Sequence, residues 1–278
     1  MKRTLKNKNT RLLLLSFLMS AGVLLICSKS SSLYPMNDWV DVHCFFTVGR
    51  GILDGLVPYR DLYEQKGPVL YFMYALAALI SSKTFWGVFL LEVTTFGLFL
   101  YYSGKTAGVY LGNSRLVYLV VVILAGIIPI SPAFAHGGGA EELMLFTLAY
   151  GLYSVTNAMH QNRLLTFWES FLNGLFAAMV LLIKFTAMGF YIGLVLFVIF
   201  WYLSRNGQWK PLLATAGQFI LGAGAIILPV LLYFGIHHAI DDLFTVYFYN
   251  NLFLYPQETD GTRLELIIRC LQSTLSYN

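Results

Sequence analysis

Residues 211–234 read PLLATAGQFILGAGAIILPVLLYF and contain no charged side chain. The hydrocarbon core of a bilayer is crossed by about 20 helical residues, so this stretch is long enough to span it. Further uncharged runs lie at 12–28, 116–135, 143–159 and 185–203. Charged residues make up 12% of the chain, whereas soluble domains carry about 25%. The sequence therefore predicts an all-α, polytopic helical membrane protein.

The charges between the apolar runs predict which side each loop occupies. With the N-terminus in the cytoplasm, we expect seven spans, at 12–28, 85–103, 116–132, 143–159, 165–183, 185–203 and 211–234. The cytoplasmic segments then carry most of the basic residues, namely Lys2, Arg3, Lys6, Lys8, Arg11, Lys105, Arg115, Arg163, Arg205 and Lys210. The external segments carry nearly all the acids, namely Asp38, Asp41, Asp54, Asp61, Glu64, Glu141, Glu142, Asp241, Asp242, Glu258, Asp260 and Glu265. This asymmetry follows the rule that Lys and Arg accumulate in cytoplasmic loops.

The segment 68–82 decides whether this assignment holds. Its sequence PVLYFMYALAALISS is at the short end for a membrane span. If it crossed, Lys105 and Arg115 would move outside, and the pair Glu141 and Glu142 would move inside. We therefore expect a juxtamembrane helix in the outer leaflet. The alternative is a tilted span that reverses every later side.

The predicted organisation is a single membrane domain, 1–278, with three external segments. The first, 29–84, contains a short amphipathic helix that begins near Asp41 and ends at Gly55. The second, 132–142, is rich in glycine and ends in two acids. The third is the C-terminal segment 235–278.

The first external segment carries the candidate chemistry. Asp41 follows the first span directly, and a carboxylate at this depth can act as a general base. Lys66 is a compact positive charge that suits a phosphate. Charges at 60, 61 and 64 lie close by in the sequence. The alternative is a solvated loop face with Lys66 extending along its apolar helix toward water.

Four other charged residues each allow a functional and a structural interpretation. Glu141 and Glu142 follow three glycines and can bind a divalent cation or an amine, or can simply favour a helix N-terminus. Lys184 lies at an outer turn, where it can meet a phosphate or anchor the helix at the interface. Glu92 lies inside a span and is either a functional acid or a hydrogen-bonded structural one. A transporter or flippase for a lipid-linked solute, with Glu92 as its proton site, is therefore the alternative function.

A longer motif in the first segment resembles a known family. DVHCFFTVGRGILDGLVPYRDLYEQKGPVLYF, residues 41–72, resembles the first external loop of bacterial multi-pass glycosyltransferases of the GT-C superfamily. Relatives of that group include protein O-mannosyltransferases and the lipid A aminoarabinose transferase. GGGAEELMLF, residues 137–146, is similar to the acidic motif of the family's second loop.

The resemblance implies a role for each motif position. Asp41 would be the base of an inverting transfer from a polyprenyl-phosphate sugar, and Lys66 would hold the phosphate with Glu64 beside it. Glu141 or Glu142 would complete the site. The residues implied in binding substrate and phosphate are Lys66, Glu64, Arg60, Asp61 and Lys184. A divalent ion, Mg²⁺ or Mn²⁺, would have Asp41, Glu141 and Glu142 as candidate ligands.

The resemblance also implies partners and a location. The donor would be a polyprenyl-phosphate-linked sugar, the acceptor an envelope glycan, lipid or protein, and the setting the bacterial plasma membrane with an external active site. No nucleic-acid partner is expected. Because family members usually extend further than this chain, we expect either a minimal module or a truncated and inactive form.

Overall fold

The structure is a computed structural model that describes residues 2–112, 114–131, 134, 136–206, 208–254, 265, 268 and 272, without the side chains of 2–7 and 206. Helices account for most of it: α1 Lys2–Cys27, α2 Val40–Leu53, α3 Pro68–Ile80, α4 Trp86–Leu111, α5 Leu116–Ile127, α6 Ala140–His160, α7 Phe167–Lys184, α8 Gly189–Asn206, α9 Lys210–Ile236 and α10 Ile240–Asp242. Short 3₁₀ turns cover Ile128–Ile130 and Phe185–Met188, and a π-helix covers Leu243–Leu254. Of the expected external segments, residues 132, 133, 135, 255–264, 266, 267, 269–271 and 273–278 lie outside the described part.

The predicted fold class is confirmed. No β-strand occurs among the described residues, where only Pro58 and Leu62 form an isolated bridge. Four helical stretches are long and apolar enough to cross a bilayer: Lys8–Cys27, Trp86–Leu111, Phe167–Arg205 and Lys210–Ile236. The third of these contains both α7 and α8. The protein is thus a polytopic helical membrane protein, and seven spans remain a prediction because α5 and α6 are not among these stretches.

Helices α1 and α4 pack side by side in opposite directions and define the two ends of the bundle. At one end, Lys105 Nζ donates to Asn9 Oδ1 over 3.4 Å. At the other, Ser28 Oγ donates to Glu92 Oε2 over 2.6 Å. We call the first the Lys105 end and the second the Asp41 end, since α2 also lies there.

Helices α7 and α9 pack closely because each presents a glycine to the other. A methyl group at Gly174 would overlap the carbonyl oxygen of Phe219, and one at Gly222 would overlap that of Phe171. Helix α7 starts at the Lys105 end with a capping box, in which Thr166 and Glu169 each satisfy a backbone amide of the other. Helix α8 lies between α7 and α9 in the sequence and runs back to the Lys105 end. Helices α7 and α9 therefore both end at the Asp41 end.

Helices α2 and α3 form a cap across the Asp41 end. Helix α2 ends as expected, with Gly55 at a φ of 86° that favours glycine. Helix α3 begins with Pro68 at its first position. Its residues contact the ends of other helices at this level, since Tyr74 OH donates to Gly138 O over 2.6 Å and Ala77 packs on Gly87. Helix α3 therefore lies across the end of the bundle and does not run through it.

Two apolar cores follow from this arrangement. One joins α1, α4 and α5 around buried side chains such as Phe96, Leu100 and Val121. The other joins α2 and α3 to the ends of α6, α7 and α9 around Phe45, Tyr71 and other buried residues. The second core fixes the first external segment against the bundle.

Candidate functional site

Asp41 lies in the first turn of α2 at a half-buried position. Its carboxylate makes no hydrogen bond or ion pair with any residue that the structure describes. The neighbouring acids differ, because Asp61 pairs with Arg60, Asp38 with His136, and Glu64 with Tyr71. Within the described ranges, Asp41 is thus an unpaired carboxylate, whereas Asp38, Asp61 and Glu64 have partners.

Lys66 sits at the end of a tightly fixed turn. Tyr59 OH donates to Lys66 O over 2.7 Å, and the Lys66 amide donates to Glu64 Oε2 over 2.9 Å. The Tyr71 hydroxyl donates to the same Glu64 oxygen. Glu64, expected beside a bound phosphate, therefore holds the backbone of Lys66 in place.

Tyr59 has an unusual backbone for a bulky residue, with a φ of 71°. Aromatic packing holds it there, since its ring stacks on Phe234 at 5.6 Å and on Tyr247 at 6.5 Å. The left-handed turn at Tyr59 lets the chain reverse between residues 57 and 62, where Tyr59 N donates to Leu62 O over 2.8 Å. The turn carrying Lys66 is thus anchored on α9 and on the π-helix.

Gly67 brings this turn against the end of α7. Its amide donates to Ile183 O over 3.0 Å, and a methyl group at Gly67 would overlap the carbonyl oxygen of Leu182. Only glycine allows so close a backbone approach. Lys66 precedes Gly67 and Lys184 follows Ile183, so this backbone hydrogen bond brings the backbones of the two lysines close together.

Lys184 is not a free cation, although it was expected to assist with a phosphate. Its Nζ forms an ion pair with Glu141 Oε1, at the start of α6. Lys66 also acts electrostatically on Glu141. Residues from the first segment, from the start of α6 and from the end of α7 thus converge at the Asp41 end.

Phe45 and Cys44 show that Asp41 belongs to the same group. Asp41 and Phe45 are four residues apart on α2 and so share a face, and Lys66 Nζ lies 6.0 Å from the Phe45 ring centre. Cys44 has an exposed thiol. Loss of solvent around it, then the charges of Glu64 and Asp41, raise the pKa of the Cys44 thiol.

Arg60 and Asp61, which were expected to bind phosphate, contact each other and the end of α9. They form an ion pair at 2.9 Å, and Arg60 also donates to His237 O over 2.7 Å. Asp61 Oδ2 accepts from Val57 N over 2.8 Å. The hydrogen bonds from Arg60 and Val57 lower the pKa of Asp61 to about 2. The pair fastens the first segment to the end of α9.

Glu142 points away from the site, because adjacent residues on a helix project about 100° apart. It is 4% exposed and interacts with Glu92, which is fully buried on α4. Glu142 Oε2 finds no hydrogen-bond partner among the described residues. Two of the glycines before α6 pack near Glu92: a methyl group at Gly137 would meet Ser28 and Glu92, and one at Gly138 would meet Tyr74 and Glu92.

No three His, Cys, Asp or Glu side chains in the described ranges are grouped so as to hold a metal ion. Of the three candidate ligands, Asp41 is free, Glu141 is bound to Lys184, and Glu142 is buried beside Glu92. The metal centre implied by the resemblance is therefore not preassembled from these three residues.

Several residues that shape the site were not expected from the sequence. Tyr59, Tyr71 and Tyr74 each donate a hydrogen bond that fixes a loop, and Ser28 and Ser30 both donate to Glu92. The clustering of tyrosines around the PYRD motif and the serine-rich stretch 28–32 are signals in the sequence. Neither pattern predicts the hydrogen-bond partner of each hydroxyl group.

Comparison of the chain with models of protein families, with curated proteins and with solved structures finds no match. Membership of the glycosyltransferase family stays a prediction from the motif at 41–72.

Proposed function

We propose that this protein is a membrane glycosyltransferase that moves a hexose from a polyprenyl-phosphate donor to an envelope acceptor. One observation carries the proposal: Asp41 is a carboxylate without a partner in the described structure, and Lys66 Nζ, held on a fixed turn, lies 6.0 Å from the ring centre of Phe45, one helical turn along α2 from Asp41. A free base and a free cation at the level where the apolar helices end suit a lipid phosphate and an acceptor hydroxyl.

The chemistry assigns each residue one task. Asp41 takes the proton of the acceptor hydroxyl as its oxygen attacks the anomeric carbon from the side opposite the phosphate. The bond from that carbon to the phosphate oxygen breaks, and polyprenyl phosphate leaves with the electron pair. Lys66 balances the charge that builds on the leaving phosphate, which is the kind of stabilisation that often dominates catalysis. Glu64, Tyr59 and Gly67 keep Lys66 in position.

Lys184 and Glu141 form the second wall of this site. As an ion pair they bring no net charge, so among the site residues that the structure describes Lys66 supplies the unpaired positive charge that attracts the donor phosphate. If the phosphate displaces Glu141, Lys184 becomes a second cation and the freed carboxylate faces the acceptor. Glu141 would then become available to the acceptor only after the donor has bound.

Sugar transfer in proteoliposomes tests the proposal. The full-length protein is reconstituted with a radiolabelled polyprenyl-phosphate hexose, and transfer to extracted envelope glycan, lipid and protein fractions is measured. Replacing Asp41 by Asn is expected to lower turnover by about 10²–10⁴-fold, the usual contribution of a general base. Near-normal turnover in this variant would remove Asp41 as the base.

Matched variants separate chemistry from general charge loss. Asp54→Asn removes an exposed acid just after the same helix, and Lys83→Gln removes an exposed lysine of the same segment. Both should transfer sugar normally, while Lys66→Gln should not. Equal thermal unfolding midpoints for all four variants would show that the differences arise in the site.

The competing function, a proton-coupled transporter or flippase, draws on the buried pair Glu92 and Glu142. Glu92 is about 9 Å along α4 from its first residue, and serines that follow α1 hold its carboxylate. This places the acid pair near the Asp41 end and away from the middle of the bundle, where transporters bind substrate. Glu92→Gln should therefore leave sugar transfer intact if the protein folds, whereas a transporter would lose its proton dependence.

A further inference from the structure

A cavity of about 570 Å³ opens at the Lys105 end, between α1, α4, α5 and the end of α6. Four basic side chains line it: Lys8, Arg11, Lys105 and Arg115. His160, Asn157, Tyr153 and Ser114 add polar groups, and the first turn of α5 also borders it. No Asp or Glu is among its described lining residues.

Elsewhere at this end, a basic residue is neutralised. Arg163 forms two hydrogen bonds with Glu169, at 2.6 and 2.9 Å. In the cavity, Lys105 instead donates to the neutral Asn9 and lies 5.2 Å from the Tyr153 ring centre. The cavity therefore concentrates positive charge without a lining carboxylate to balance it, which is the electrostatic condition for binding an anion.

The apolar part of the cavity indicates where the anion comes from. Leu12, Val109 and Val117 line it beside the cations. Leu116 and Leu119, on the adjoining face of α5, are 52% and 51% exposed. In a membrane protein such exposed leucines face acyl chains, so the cavity opens beside lipid. A soluble phosphate would gain nothing from these apolar walls.

We propose that this cavity binds the headgroup of an anionic phospholipid, with Lys105 and Arg115 on the phosphate and the acyl chains along α5. The site is at the opposite end of the bundle from Asp41 and is independent of the proposed sugar transfer. Basic pockets between membrane helices on the cytoplasmic side bind anionic lipids through the same combination of charge and apolar contact.

Thermal unfolding of the purified full chain in a zwitterionic detergent tests this. Short-chain phosphatidylglycerol is titrated, with phosphatidylcholine, glycerol phosphate and inorganic phosphate as separate arms. The double variant Lys105→Gln, Arg115→Gln should raise the phosphatidylglycerol concentration needed for half of the stabilisation by about 25-fold, at about fivefold for each cation. The matched variant Arg205→Gln, Lys210→Gln loses the same charge at the same end outside the cavity and should behave as the unchanged protein.

Three outcomes would overturn the proposal. The first is equal loss in both double variants, which would mean that general charge at this end attracts the lipid. The second is stabilisation by inorganic phosphate at the same concentration as phosphatidylglycerol, which would mean that the site takes a free anion. The third is no difference between phosphatidylglycerol and phosphatidylcholine.

A second measurement covers the case in which the cavity variant does not fold. A photoactivatable phosphatidylglycerol is crosslinked to the unchanged protein, and the modified peptides are identified by mass spectrometry. Crosslinks to the cavity lining, within 8–12, 104–118 or 153–160, or to the adjoining part of α5 support the proposal. Crosslinks only to residues outside these ranges contradict it.

Discussion

The two ends of the bundle treat charge in opposite ways. At the Asp41 end, most acids have partners: Asp61 pairs with its sequence neighbour Arg60, while Glu141 pairs with Lys184 and Asp38 contacts His136 across distant segments. At the Lys105 end, four basic side chains surround an open cavity that no described carboxylate lines. Where most charged side chains are paired, the few unpaired ones are held in fixed positions. An open surface of positive charge instead attracts any nearby anion. We therefore assign the site for chemistry to the first end and lipid recognition to the second.

The largest expected effect comes from labelling the two ends from one side of the membrane. In a protein with Cys27 and Cys270 replaced by Ser, a membrane-impermeant maleimide added outside should label Cys44, whose thiol is exposed. The same protein with Cys44 also replaced by Ser and Asn157→Cys in the cavity should stay unlabelled until the membrane is opened, because the predicted positive-inside orientation would put that end in the cytoplasm. Labelling of both from one side would remove the distinction between the ends.

The rate at which the same maleimide reacts with Cys44 reports the charges around this thiol. Because burial and the charges of Glu64 and Asp41 raise its pKa, Cys44 holds less thiolate at pH 7 than an ordinary exposed cysteine and should react slowly. Its rate should rise with pH above the usual thiol range. Asp41→Asn should speed the reaction at pH 7, and an unchanged rate would contradict the proximity of the two residues.

A substitution at Gly67 tests how the cap is fastened to the bundle. In Gly67→Ala the new methyl group would overlap the carbonyl oxygen of Leu182, so the first segment must move away from α7. We expect a loss of about 3 kcal/mol in the free energy of unfolding, as for a severely overpacked site. Gly126→Ala is the control, since nothing lies near its added methyl group and alanine favours a helix. A normal unfolding midpoint for Gly67→Ala would mean that the close contact is absent.

The smallest effect concerns the ion pair that closes the site. A double-mutant cycle with Glu141→Gln and Lys184→Met should give a coupling energy of about 1 kcal/mol or less, because both side chains are more than one-third exposed. Arg163–Glu169 is the comparison at the Lys105 end. It is more buried and makes two hydrogen bonds, so its coupling should be larger. A coupling of zero between Glu141 and Lys184 would indicate that the second wall of the site is not formed.

Local patterns in the sequence predicted many elements of the fold correctly. The uncharged runs correspond to helices, and α2 was expected with its end at Gly55. Boundaries were less accurate, since α1 already begins at Lys2 and α4 continues to Leu111. The errors lie at helix ends, where the charge pattern marks the membrane limit and the backbone continues as a helix beyond it.

The candidate site was predicted as a set of residues but not as an arrangement. All the candidates except Glu142 lie on the accessible surface of the Asp41 end, yet within the described structure Asp41, Lys66 and Glu64 make no side-chain ion pair, and Glu64 is occupied by hydrogen bonds from Tyr71 and the Lys66 amide. Arg60, Asp61 and Lys184 were grouped with Lys66 because they are charged and near in sequence or side. Their partners, the His237 carbonyl and Glu141, are 177 and 43 positions away.

By itself, the sequence determined the membrane class, the helical architecture and the separation of charge between the two ends. These properties depend on composition and on periodicity over one or two helical turns, which each segment carries alone. Only the tertiary structure decided which charges neutralise each other, that Glu142 is buried beside Glu92, and that Asp41 and Lys66 make no ion pair with any described residue. Those outcomes depend on close contacts between segments far apart in the chain, such as the approach of Gly67 to α7, which local patterns do not encode.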